Sequence, residues 1–118
     1  MRGLLLFIAL LPVYFPIELR AAAIHDAAKN GDVAAITAAL DAGAGVDESD
    51  GQATPLYLAI RGGHLAAAKL LIERGADVNA TPTSLLGPAL MPALAKRRID
   101  LINLLLDAGA NPNSDRGG

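Results

Sequence analysis

The segment from Thr54 to Ala80, TPLYLAIRGGHLAAAKLLIERGADVNA, limits what this chain can fold into more than any other stretch. It writes two short helices joined by a Gly-Gly turn. Pro55 suits the first helical position, where its missing N–H goes unused, and Thr54 before it can cap the exposed amides. In the second half Leu65, Ala68, Leu71 and Ile72 recur at helical spacing, and Gly75 follows where a left-handed residue would end the helix. Two antiparallel helices of this length cannot bury both apolar faces alone. The unit therefore demands neighbours of its own kind.

The chain supplies them. Gly31 to Ala44 reads GDVAAITAALDAGA and Arg97 to Ala110 reads RRIDLINLLLDAGA, with the apolar positions of GHLAAAKLLIERGA at Gly63 to Ala76. The stop glycines Gly43, Gly75 and Gly109 are 32 and 34 residues apart. On these residues the chain resembles the ankyrin repeat family, whose period is about 33 and whose first helix opens TPLHxA. TPLYLA and GADVNA match that pattern nearly completely, and GANPN at Gly109 to Asn113 is a common variant. The resemblance covers about Ala22 to Asn113. It implies an all-α fold, an α-solenoid of about three ankyrin repeats (about 22–49, 50–81 and 82–113) made of helix-turn-helix pairs with β-hairpin or loop fingers. Residues 114–118 read as a flexible tail. It also implies a protein-protein interaction module with its partner left open.

Residues 1–23 differ in kind. Arg2 gives a short positive start, Leu4 to Phe15 is an apolar run broken only by Pro12, and Ala21-Ala22-Ala23 offers a small-residue cleavage site. The stretch reads as a signal peptide and leads us to expect a periplasmic or secreted product, with the membrane met only in transit. The run falls short of the roughly 20 apolar residues that span a bilayer. An uncleaved anchor, or an apolar cap on the first repeat in a cytoplasmic protein, is the alternative.

Charge and composition exclude several classes. The formal charge is −2 with no block of five or six like charges, so nucleic acid is not expected as a partner. Cysteine is absent, which removes disulfides, thiol catalysis and cysteine zinc sites. Hydrophobic residues make up 53% but aromatics only 3%, so Ala, Leu, Ile and Val must build a core of closely stacked helices.

In repeat one, Ile24, His25, Ala27 and Gly31 stand where Leu56, Tyr57, Ala59 and Gly63 stand in repeat two. Added polar groups at Asp26, Lys29, Asn30 and Asp32 suit a terminal repeat with a wetted face. The link from Gly43 to Thr54 should project as a finger with Asp47, Glu48 and Asp50 at an acidic tip. Its acids lack the calcium-loop spacing, so no metal or other cofactor is expected. His64 sits where the family places a histidine in a local structural hydrogen bond. Neither it nor His25 has a nucleophile or orienting acid in sight, so no catalytic residue and no enzyme are expected.

Repeat three departs from the pattern. Pro92 should distort or delay its first helix, and Arg97 replaces Gly63 in a turn that favours positive φ, so local strain or a shifted turn is expected there. Leu85 and Leu86 lie in its finger, facing either a partner or the previous finger. The last helix carries Ile99, Leu101, Ile102, Leu104, Leu105 and Leu106, so part of an apolar face should stay exposed, as a homodimer seam, a partner site or merely an imperfect cap, with Leu101 a residue to test. Carrying the family's concave binding surface onto this sequence places contacts at Lys29 and Asn30, at Arg61 with Tyr57 second, and at Lys96. The fingers add Asp47, Glu48, Asp50, Leu85 and Leu86.

Overall fold

The computed structural model describes residues 17–50, 53–81 and 88–111, with side chains from residue 23 onward. Most of the expected signal segment, the finger leucines Leu85 and Leu86, and the tail 114–118 lie outside the described residues. Six helices occur among those described: α1 (Ile17–Asn30), α2 (Val33–Asp41), α3 (Pro55–Arg61), α4 (Leu65–Glu73), α5 (Leu90–Ala95) and α6 (Ile99–Asp107). They pair as α1/α2, α3/α4 and α5/α6. The first helices α1, α3 and α5 stack in one layer and the second helices α2, α4 and α6 in another. No described residue lies in a strand, so the described parts of the links between repeats are irregular where hairpin or loop fingers were expected.

Local chemistry sets two of the helix starts and the helix ends. Thr54 accepts the Tyr57 N–H at 3.2 Å and Pro55 opens α3, while Asp32 accepts the Ala35 N–H at 3.1 Å to open α2. Every described helix pair then ends its members in the same way. The N–H groups of Gly43 and Ala44 turn back onto the carbonyls of Leu40 and Ala39; Gly75 and Ala76, and Gly109 and Ala110, repeat the arrangement. This is the Schellman stop, which requires a left-handed residue, and Gly43, Gly75 and Gly109 have φ of 103°, 96° and 99°.

The turn within each repeat is the same device. Gly31 and Gly63 hold φ of 71° and 76°, and Arg97 holds φ of 54° at the third equivalent position. Its N–H still meets the Leu94 carbonyl at 3.0 Å, as that of Gly63 meets Ile60 at 2.9 Å. The turn is therefore kept in place, and the strain expected there is real: a side chain in this region costs about 1–2 kcal/mol. Pro92 is also accommodated. Helix α5 starts at Leu90, one residue behind α3 in register, which puts Pro92 in the first turn where no N–H is needed.

The core is aliphatic. Ile24, Ile36, Leu56, Ile60, Leu71, Leu101 and Leu105 have almost no solvent contact, and Ala27, Ala59 and Ala93 let the first helices approach closely. Thr54 is buried as well, so removing its hydroxyl strands an amide that water cannot readily reach. Thr54→Ala should cost about 1–2 kcal/mol of unfolding free energy by chemical denaturation. A loss below a few tenths would mean that α3 does not depend on its cap.

Candidate protein-binding surface

The repeats are tied together on both sides of the helix layers, and those ties decide which polar groups remain for a partner. His25 donates Nε2–H to the Ala53 carbonyl at 3.1 Å, and His64 donates Nε2–H to the Lys29 carbonyl at 3.0 Å. A carbonyl only accepts, so Nε2 carries the proton in both rings. The His64 bond is not local, as expected from the family, but joins repeat two to repeat one across thirty-five positions. Arg98 fills the same position in repeat three, and its Nη1 reaches the Gly63 carbonyl at 3.3 Å. It also holds Asp100 with two hydrogen bonds of 3.0 and 2.8 Å.

That fork on Asp100 raises the Arg98 pKa and, chiefly through its hydrogen bonds, lowers that of Asp100. A depressed carboxyl favours the folded chain above the pH where the unfolded carboxyl titrates. The contribution disappears as pH falls through the folded value. Both side chains are solvent-exposed, so the effect on stability is small.

The linkers are tied in the same repeating manner. Asp47 Oδ1 accepts the Asp77 N–H at 2.8 Å, and Asn79 Oδ1, at the equivalent place one repeat on, accepts the Asn111 N–H at 2.8 Å. Asn79 also donates Nδ2–H to the Gly109 carbonyl at 3.1 Å. Of the three acids expected at a free acidic tip, Asp47 is thus engaged in stacking. Asp50, although exposed, accepts the Ala53 N–H at 2.8 Å, and Glu48 is half-buried with Oε2 out of solvent contact.

Three of the sequence-named contacts come together. Lys29 and Arg61 from the first helices, and Asp50 from the linker, line one cleft of about 190 Å³ together with His25, Asp26, Ala53 and Leu58. Sites for drug-sized ligands begin near 300 Å³, so this one suits a side chain or two of a protein. Its walls carry two cations and two carboxylates over an apolar floor of Leu58 and Ala53. The Arg61 guanidinium lies 6.0 Å from the centroid of the Tyr57 ring. Tyr57 is itself 8% exposed, so its reach to a partner runs through Arg61. Asn30 is exposed beside Lys29 at the end of α1. Lys96 is exposed in repeat three, outside the lining of this cleft.

Part of the apolar face expected on the last helix is exposed, through Ile99 and Leu106. Leu101 and Leu105 are fully buried, because they point into the stack; among the described residues of repeat three the exposed large apolar ones are Met91, Leu94, Ile99 and Leu106. Leu101 is accordingly a core residue and no probe of a surface.

Comparison with known proteins fits this geometry. The family described as "Ankyrin repeats (3 copies)" matches residues 24–116. The chain is similar to BRCA1-associated RING domain protein 1 of Caenorhabditis elegans, at 34% identity over 70% of this chain and 12% of that protein. Zygote-specific protein 3 of Chlamydomonas reinhardtii is 35% identical over 92% of this chain and 29% of its own length. Acyl-CoA-binding domain-containing protein 2 of Arabidopsis thaliana is 42% identical over 51% and 17%. The chain spans less than a third of the length of each of these relatives.

Proposed function

The chain belongs to the ankyrin repeat family, and from that membership we propose that it binds a partner protein through the cleft between repeats one and two. The observation that carries this reading is the convergence of Lys29, Arg61, Asp26 and Asp50 over the Leu58 floor. Lys29 and Arg61 can pair with acids on the partner and Asp26 with a base, while Leu58 and Ala53 receive an apolar side chain between them. Arginine over an aromatic ring is a favoured interface anchor. Peptides selected from a displayed random library against the immobilised protein should lose binding about tenfold or more when Lys29 and Arg61 are both changed to alanine, with the helical circular dichroism spectrum retained. Peptides that bind the double variant unchanged would place the site elsewhere.

Export is part of the proposal: residues 1–23 act as a signal peptide and deliver the domain to the periplasm or the exterior. Helix α1 runs without a break from Ile17 past this boundary, so cleavage after Ala23 would shorten it. Ile24, the first residue of the family match, stays within the core. Expression in a Gram-negative host should give a periplasmic product that starts near Ile24. An intact cytoplasmic product would make the segment a cap or an anchor. A second reading, self-association through repeat three, is favoured by the exposed Met91, Leu94, Ile99 and Leu106.

A further inference from the structure

We infer that the outer face of repeat three docks on the same face of a second copy of this chain, with the two α6 helices antiparallel about a two-fold axis. The inference rests on the self-association reading and gives it a partner and a geometry. Met91, Leu94, Ile99 and Leu106 are equivalent to Tyr57, Ile60, Leu65 and Ile72 of repeat two. There the positions are buried or half-buried, and α5 and α6 are the helices stacked on that side. In repeat three the same positions are 41%, 48%, 66% and 42% exposed.

Charge selects the occupant. Lys96, Arg97 and Arg98 stand at the start of α6 and Asp107 at its end. An antiparallel pair sets Ile99 of one copy against Leu106 of the other, and brings the basic turn of each copy to the other's Asp107. The symmetry makes both contacts twice. Head-to-tail stacking lacks this match. It would bring Asp32, the repeat-one equivalent of His64 and Arg98, to a carbonyl of repeat three, acceptor against acceptor, and Asp32 is already occupied by the Ala35 N–H.

Arg97 supplies an independent observation. Glycine fills its position in the other two repeats, yet here an arginine holds φ of 54°. Its exposed side chain makes no hydrogen bond or ion pair among the described residues. A strained residue with a free cation at the rim of an uncovered apolar face is well placed to reach an acid on a second molecule.

Sedimentation equilibrium of the full chain over a concentration series tests the inference. The mass should rise from 12.1 kDa toward twice that value, with a dissociation constant on the order of 10–100 µM for so small a patch. Leu94→Glu with Leu106→Glu should weaken association about tenfold or more while the helical spectrum is kept. Arg97→Glu and Asp107→Lys should each weaken it several-fold, and the double variant should recover most of the loss. Arg97→Gly should move two readouts in opposite directions, raising the monomer's melting temperature by roughly 2–5 °C while weakening the dimer. A monomer up to about 1 mM would remove the self-association reading altogether. A dimer indifferent to the apolar pair, open-ended oligomers, or charge reversals without recovery would overturn the face and orientation proposed here.

Discussion

Leu71→Ala should remove about 3 kcal/mol or more of stability, a large share of what holds three repeats together. Leu71 has no solvent contact and sits in α4, the middle helix of its layer. That helix packs on α3 in its own repeat, on α2 before it and on α6 after it, so the cavity opens where three contacts meet. In a stack whose members touch only their neighbours, loss of the central unit also separates the two outer ones. The midpoint of urea unfolding should fall by roughly 1.5 M at a slope near 2 kcal/mol/M. Leu105→Ala removes the same atoms at the equivalent place in repeat three, where α6 has a described neighbour on one side only. It should cost distinctly less. Equal losses at the two positions would show that stacking on the far side of α4 contributes little.

Elements written by local chemistry were legible before any coordinates. Thr54 and Pro55 start α3 and Gly75 stops α4 because caps and left-handed stops depend on residues within one turn. The period of about 33 residues then fixed the stacking, and burial of Ile24, Leu56 and Ala59 follows from it. The ties between repeats were not legible. His64 and Arg98 bond to backbone carbonyls thirty-five positions away, and a carbonyl leaves no mark in a residue pattern. The one available signal was positional: residues 32, 64 and 98 are equivalent, and two of the three carry a long donor. Asp47 misled for the same reason. A carboxylate on a loop reads as free until a neighbouring repeat presents an amide to it. The cleft was legible in part, since Lys29, Arg61 and Asp50 were named on separate grounds, whereas Asp26 was assigned only to a wetted outer face. Leu101 was misplaced because helical periodicity shows that a face is apolar without showing which of its rows meets the preceding repeat.

Gly31→Ala is expected to cost about 2–4 kcal/mol, through two separable causes. The backbone at Gly31 holds φ of 71°, which a side chain adopts at a cost of about 1–2 kcal/mol, partly offset by a less flexible unfolded chain. A methyl group there would also lie 2.5 Å from Cγ and Nδ1 of the His64 ring. The ring is confined on its other edge, since a Cβ at Gly62 would come within 2.6 Å of Cδ2 and Nε2. It would have to leave its seat and give up the Lys29 carbonyl, loosening the contact between repeats one and two. Gly75→Ala separates the causes. Gly75 has φ of 96° with nothing within 4 Å of the added carbon, so only the backbone cost applies. The excess at Gly31 should vanish in a His64→Ala background, where the methyl group meets no ring. If Gly31→Ala costs the same with and without His64, the histidine does not hold the first interface, and the repeats are joined there by apolar contact alone.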